Sequence, residues 1–130
     1  MNASWKLLLL ALALAALGGC AATPFANPFK NMLQSKGEPV LTAGIQNYEN
    51  GKYDEAAKAL QSALDLGLNK DEQVSAHKYL AFIHCASGRE KQCRDEFRKA
   101  LDIDPSLELK PAEAGHPIWG PVFRSVKLHH

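Results

Sequence analysis

Cysteine and histidine side chains could do chemistry beyond packing, and the candidates are Cys20, Cys85, Cys93, His77 and His84. A zinc site needs about four converging ligands, usually in Cys-x-x-Cys or His-x-x-x-His pairs, and neither spacing occurs here. The two histidines are seven residues apart, so they share one face of a helix, and core packing is the simpler interpretation. We therefore predict no metal and no other bound cofactor. A metal- or thiol-dependent enzyme built on these residues is kept as an alternative.

The acidic residues occur in pairs, but not in an arrangement that catalysis requires. Asp54-Glu55 and Asp71-Glu72 stand where helices are predicted to begin, and acids there favour the positive end of the helix dipole. Asp71 is also the predicted N-cap of its helix. Asp95-Glu96 stands beside Arg94 and near Arg98, which indicates a solvated helix face with near-neighbour ion pairs. Since no nucleophile elbow or phosphate loop is present either, we predict that the protein is not an enzyme.

The first nineteen residues have the organisation of an export signal. Lys6 precedes an apolar run over residues 7–17, and two glycines follow before Cys20. The run is shorter than the roughly 20 apolar residues that span a bilayer, so it predicts a cleaved secretory signal peptide. The compartment that this signal implies is oxidising.

The segment Leu17-Gly18-Gly19-Cys20 resembles the lipobox of bacterial lipoproteins. The resemblance implies cleavage after residue 19 and acyl chains on the thiol and the new amino group of Cys20. Ala21 follows in place of an aspartate, which implies anchoring at the periplasmic face of the outer membrane. The alternative is an ordinary secretion signal in which Cys20 is incidental.

The charge balance of the mature chain is neutral. Residues 20–130 number 111 and carry 14 basic and 14 acidic side chains. No electrostatic argument for nucleic acid or for a polybasic membrane patch remains. Attachment to a membrane would depend on lipid, in which each buried methylene contributes about 0.8 kcal/mol. The length predicts one domain.

Cys85 and Cys93 are the two cysteines left once Cys20 is acylated. Their spacing is not the Cys-x-x-Cys of thioredoxin-type redox sites. The oxidising compartment favours a structural disulfide. Idealised antiparallel helices could hold the two Cα atoms beyond the limit of about 7 Å, so two buried thiols are the alternative.

Residues 40–105 consist of two copies of one unit, offset by 37 positions. Small residues and glycines recur at this offset, together with large apolar residues, in the pairs Gly44 and Ala81, Gly51 and Gly88, Ala56 and Cys93, Leu60 and Phe97, and Ala63 and Ala100. Apolar residues have helical spacing in both copies, and alternation typical of strands is absent. Four helices are predicted, at Val40–Asn50, Tyr53–Leu66, Asp71–Ser87 and Glu90–Ile103, with left-handed turns at Gly51 and Gly88.

This pattern resembles the tetratricopeptide repeat, a helix-turn-helix unit. In the second copy, His77, Leu80, Ala81 and His84, then Cys93, Phe97 and Ala100, stand at the family's packing positions, and Pro105 stands at that of its closing proline. The first copy lacks this proline and is three residues longer. The resemblance implies an all-α fold of two repeats, or four antiparallel helices.

The segments on either side of the repeats differ from them in composition. Residues 20–39 are predicted to be the lipidated N-terminus and a tether, because prolines and Gly37 interrupt any helix. Residues 106–130 also contain prolines, but they include Trp119, Phe123 and Val126, which is too much apolar surface to leave in water. We predict that this tail is ordered, caps the repeats, and forms a short helix at Pro121.

In the tetratricopeptide family the first helices of successive repeats line a groove that binds peptides. Carried over to this sequence, the groove positions are Leu41, Ile45, Tyr48, Glu49, Lys78 and Phe82. They combine an apolar patch with one acid and one base, which suits a peptide or helix anchor. The alternative is that the tail, or Phe25 and Phe29, fills the groove from within.

Residues 80–124 resemble small bacterial tetratricopeptide lipoproteins, including ones associated with type VI secretion systems. The resemblance implies an adaptor that binds protein partners in an envelope assembly, with no nucleic acid and no small-molecule substrate. A pilotin-like lipoprotein, which escorts an outer-membrane subunit, is the second hypothesis.

Overall fold

The structure is a computed structural model that describes residues 33–130. That part of the chain forms six helices and no strand: α1 (Glu38–Glu49), α2 (Tyr53–Leu66), α3 (Lys70–Ala86), α4 (Glu90–Ile103), α5 (Pro111–Ala114) and α6 (Trp119–Leu128). The predicted all-α class is confirmed. The predicted signal peptide, Cys20, Phe25, Phe29 and most of the tether lie outside the described residues.

The helix bounds agree with the predicted ones except near the N-termini. Helix α1 begins at Glu38, earlier than expected, because Pro39 fits the first turn of a helix, where its missing N–H is not needed. Helix α3 is capped by Asn69, whose side chain accepts a hydrogen bond from the Glu72 backbone N–H at 3.0 Å. The Glu72 carboxylate accepts one from the Asn69 N–H at 2.9 Å, which completes a capping box. The prediction that Asp71 is the cap was wrong.

The turns α1–α2 and α3–α4 have the same backbone geometry. Gly51 and Gly88 have φ of +74° and +73°, as predicted for left-handed turns. The backbone N–H of each glycine donates to the carbonyl three residues earlier, at 3.0 and 3.1 Å. The backbone N–H groups of Lys52 and Arg89 donate to the carbonyls five residues earlier, at 2.8 and 2.9 Å. The 37-residue offset of the sequence pattern therefore also relates the backbone hydrogen bonds of the two turns.

The helices pack in a repeated order. Helix α1 packs against α2, and α3 packs against α4. Helix α3 then contacts α2 more than α1, and α6 likewise contacts α4 more than α3. The close crossing of α1 and α2 depends on Gly44, since a Cβ there would lie 3.0 Å from the Leu60 side chain. Helix α6 therefore packs against the α3–α4 pair in the same way as α3 packs against the α1–α2 pair.

Two apolar clusters form the core of residues 34–130. The first, between α1, α2 and α3, contains Leu41, Ala56, Leu60, Ala63, Leu68, Ala76, Leu80 and Ile83. The second, between α3, α4 and the tail, contains Ala81, Phe82, Cys85, Cys93, Phe97, Leu101, Leu109, Trp119, Phe123 and Val126. The tail is therefore ordered against the second helix pair, as its apolar content indicated. Its helix starts at Trp119, two residues before Pro121.

Candidate interaction surface

The residues of the predicted groove lie on α1 and α3, but they differ in exposure. Leu41 is buried in the first cluster. Ile45 and Tyr48 are half-buried and pack against that cluster, and Glu49 is exposed. Phe82 is only 1% exposed. The expected continuous groove is therefore open on the α1 side and covered on the α3 side.

The cover over Phe82 is the tail. The Trp119 ring stacks on Phe82 with centroids 4.7 Å apart and 26° between their planes. The His116 ring also stacks on Trp119, with their ring centroids 3.3 Å apart. Phe82 was expected to meet a partner, but in this structure it meets the tail. On the α3 side, the structure therefore agrees with the alternative in which the tail fills the groove.

Lys78, the predicted basic residue of the groove, is also occupied. Its Nζ lies 2.8 Å from Glu113 Oε1 of α5, and both side chains are largely shielded from solvent. The same Nζ is 5.2 Å from the centre of the Tyr79 ring, which allows a cation–π interaction. The pair joins α5 to α3, so Lys78 positions the tail rather than presenting a free cation.

The open part of this face carries a tyrosine cluster, which we define as Tyr48, Tyr53 and Tyr79. The Tyr48 ring centroid lies 5.6 Å from that of Tyr53 and 5.0 Å from that of Tyr79. Tyr48 and Tyr79 pack against both core clusters, while Tyr53 is 40% exposed. The rings are thus held by the core at one edge and reach solvent at the other.

The surroundings of Tyr48 and Tyr79 favour the protonated, neutral form of both phenols. Burial raises the pKa of Tyr48 to about 12, assisted by Tyr53, Tyr79 and the negative charge of Glu113. Burial also raises the pKa of Tyr79, with the carboxylates of Glu113 and Glu49 acting in the same direction. Protonated phenols can both donate and accept hydrogen bonds.

Tyr53 and Tyr79 were not among the predicted site residues. Tyr79 stands three residues before Phe82 and one after Lys78, so helical spacing could have placed it on the same face. Tyr53 opens α2 and belongs to a different helix from the groove positions. The tight turn at Gly51, between α1 and α2, brings it to Tyr48.

Cys85 and Cys93 lie at disulfide distance. Their sulfur atoms are 2.02 Å apart and their Cα atoms 5.1 Å apart. The separation of the Cα atoms is within the limit of about 7 Å that idealised antiparallel helices could have exceeded. Both residues are buried in the second cluster, beneath the tail. The geometry is compatible with the predicted bridge.

The two histidines have polar partners, which the core-packing interpretation did not anticipate. His77 Nδ1 lies 2.6 Å from Glu96 Oε2, and Lys99 Nζ lies 2.7 Å from Glu96 Oε1. Glu96 is only 8% exposed, so the prediction that Asp95-Glu96 is a solvated pair was wrong for Glu96. Burial raises the pKa of Glu96, but the hydrogen bonds from His77 and Lys99 outweigh it, and the resulting pKa lies below the ordinary value.

His84 is bound to the turn between α3 and α4. Its Nδ1 accepts a hydrogen bond from Arg89 Nε at 2.9 Å. Burial, and next the positive charge of Arg89, lower the pKa of His84. Within residues 33–130, no three His, Cys, Asp or Glu side chains are grouped so that they could hold a metal ion.

A second surface lies on the tail, and we call it the tail groove. It is an open cavity of about 520 Å³ between α6 and the segment Glu108–Ala114. Its lining is mostly apolar and includes three charged side chains, those of Glu108, Arg124 and Lys127. The other lining residues are Leu109, Ala114, Gly120, Phe123 and Leu128. The sequence analysis placed no site here.

Comparison with known proteins gives no match from which a function could be transferred to this chain. No family model matches it, and neither a curated protein nor a solved structure matches it. Among the helices that the structure describes, none is both long and apolar enough to cross a membrane.

Proposed function

We propose that the protein is a lipid-anchored adaptor at the periplasmic face of the bacterial outer membrane, which binds a partner protein through the tyrosine cluster. The observation that carries the proposal is that Tyr48 and Tyr79 pack at the junction of both core clusters and that the exposed Tyr53 ring lies against Tyr48. The anchoring part of the proposal comes from the lipobox-like sequence at Cys20.

Tyrosines held in this way suit protein binding for energetic reasons. A tyrosine ring offers a large contact area with only two side-chain torsions, so little conformational entropy is lost when a partner orders it. Here the core already orders the inner edges of Tyr48 and Tyr79. The apolar part of each ring and the polar hydroxyl let the cluster accept both apolar anchors and hydrogen bonds. Glu49, exposed beside Tyr48, favours a partner that carries a base near its anchor.

The proposal includes the tetratricopeptide-like arrangement of residues 40–105. Its support is the equal hydrogen bonding of the two turns and the repeated packing order of the helices. In such an array the first helices share one face, and the tyrosine cluster lies where α1 and α3 meet the start of α2. The partner would then lie against the uncovered α1 side of the predicted groove.

Envelope assemblies such as type VI secretion systems are the class of partner that the sequence resemblance favours. A pilotin-like role, in which the partner is an outer-membrane subunit escorted to its place, is the second candidate. Deletion separates the two. Loss of one subunit's outer-membrane localisation indicates a pilotin, whereas an assembly that is localised but incomplete indicates an adaptor. In neither role do His77, His84 or the cysteines act as catalysts.

Site-specific crosslinking in the native membrane tests the interface. We would replace Tyr53 by the photo-crosslinker p-benzoylphenylalanine in the full-length lipoprotein and identify adducts by mass spectrometry. The matched control carries the same residue at Gln61, which is exposed on α2 away from the cluster. We expect a discrete protein adduct from position 53 and none from position 61. Equal adducts from both positions would reject the tyrosine cluster as the binding site.

A further inference from the structure

We propose that the tail groove is a second binding site, separate from the tyrosine cluster, and that it takes an amphipathic helix of a partner protein that presents a carboxylate to Arg124. An adaptor that joins two proteins needs two surfaces, but the inference does not depend on the tyrosine cluster. It follows from the shape, the exposed apolar area and the charge of the groove.

The shape of the tail groove follows one face of α6. The residues that α6 contributes stand at positions 120, 123, 124, 127 and 128, which is the i, i+3, i+4, i+7, i+8 spacing of a single helical stripe. The stripe runs from residue 120 to residue 128, a rise of about 12 Å at 1.5 Å per residue. The opposite wall comes from Leu109 and Ala114. A stripe of this length matches about two turns of a partner helix.

The packing order of the domain indicates the same occupant. Helix α1 has α2 packed along it, and α3 has α4 packed along it. Helix α6 contacts α4, α3 and α5, which bury Gly120 and Phe123, and the exposed part of its groove stripe is at Arg124 and Leu128. A helix laid into the groove would give α6 a flanking helix, as α1 and α3 already have one. Helices in grooves are held by apolar anchors at just this spacing.

One apolar residue of the groove is open to water. Leu109 and Phe123 form its buried floor, whereas Leu128, at the end of the stripe, is 83% exposed. Burying exposed apolar area is favourable by about 25 cal/mol per Å². A leucine that faces a groove of about 520 Å³ is therefore placed to gain from an occupant.

The charges at the edge favour an acidic occupant. Lys127 is paired with Glu108 and also donates to the Leu107 carbonyl at 2.8 Å. Arg124 has an Nη1 that donates to the Ala114 carbonyl at 3.1 Å, and it forms no ion pair within residues 33–130. Its other guanidinium N–H groups remain available, and a carboxylate is the partner that such a fork binds best. The groove therefore matches a helix with apolar anchors and an Asp or Glu beside them.

The test uses the full-length lipoprotein in its own membrane. Leu128 is replaced by p-benzoylphenylalanine, and the crosslinked peptide is mapped by mass spectrometry, with position 61 again as the control. We expect an adduct to a protein segment that has an apolar helical stripe flanked by an acid. In the same background, Arg124→Gln should lower the adduct yield at least about tenfold, because glutamine removes the charge from the hydrogen bond to the carboxylate. Circular dichroism checks that the fold is retained without the Arg124–Ala114 hydrogen bond.

A charge exchange makes the result specific. Arg124→Glu should abolish the adduct, and replacing the mapped acid of the partner by arginine should restore it. Several outcomes overturn the proposal: an adduct to an acyl lipid alone, an adduct between two copies of this chain, an adduct unchanged by Arg124→Glu, or no adduct at position 128. If position 53 crosslinks while position 128 does not, the proposed function stands and only the second site fails.

Discussion

Phe82 of α3 and Trp119 of α6 stack with their ring centroids 4.7 Å apart, and this contact closes the α3 side of the predicted groove. The tail is thereby part of the hydrophobic core. Phe97 lies edge-on to Phe82 at 5.9 Å, and Phe123 lies edge-on to Phe97 at 5.2 Å. The stability of the second helix pair should therefore depend on residues that follow it in the chain.

Trp119→Ala should lower the free energy of unfolding by about 3–5 kcal/mol, the usual range for truncation of a buried aromatic residue. Trp119→Phe should cost much less, because it keeps the stack and the Trp119 Nε1 has no hydrogen-bond partner among residues 33–130 to lose. Urea unfolding followed by circular dichroism measures both. A loss below about 0.5 kcal/mol for the alanine variant would show that the tail contributes little to the core.

Cys85 and Cys93 should be oxidised to each other in exported protein, because their Cα atoms are 5.1 Å apart and the proposed periplasmic compartment is oxidising. Alkylation of the denatured, unreduced protein should then label neither residue. Reduction should cost roughly 2–3 kcal/mol, as the chain-entropy account gives for a short loop. Full labelling of both cysteines would leave two packed thiols instead.

Glu96→Gln should destabilise the domain at neutral pH by about 1.5–3 kcal/mol, the value of hydrogen bonds to a charged group. The folded state holds the pKa of Glu96 below its ordinary value of 4.5, so ionised Glu96 stabilises the fold above that pH. This contribution is lost as the pH falls through the lower folded-state pKa. Unfolding curves of the parent and the variant should therefore converge in acid. Curves that stay parallel from pH 7 to about pH 3 would contradict a role for the charge.

Tyr48→Ala or Tyr53→Ala should each weaken partner binding by more than about 1–2 kcal/mol, because aromatic anchors dominate such interfaces. Tyr53→Phe separates ring contact from hydroxyl bonding, and Lys58→Ala, on an exposed position of α2, serves as the control. His77→Gln should leave binding intact. Pull-down of the crosslinked partner, with melting curves for each variant, gives the comparison. Unchanged binding by both folded alanine variants would exclude the cluster.

Cys20→Ser should release the protein from membranes, since the lipobox-like segment predicts that lipid on this residue is the anchor. Fractionation of cells and intact-mass measurement of the mature chain test it. A serine variant that stays in the membrane fraction, or a mature chain that begins elsewhere without acyl chains, would refute the lipidation.

The sequence by itself determined the local elements of the helical pairs. Gly51 and Gly88 predicted the left-handed turns because few other residues adopt positive φ readily. The helical spacing of the apolar residues around Leu60 and around Phe97 predicted which helix faces are buried. Local signals acted less well at the start of α3. Asn69 and Asp71 are both good caps, and the reciprocal bond with Glu72 decided between them.

Only the tertiary structure decided what each surface became. Helical spacing places Phe82 on the α3 face that was expected to be open, but spacing carries no information about a segment that returns some 37 residues later to cover it. For the same reason Glu96 looked solvated among its charged neighbours until the packing of α3 brought His77 to it. The tail groove exists because α6 and Glu108–Ala114 meet in space. Such contacts depend on where distant elements pack, and no local pattern encodes that.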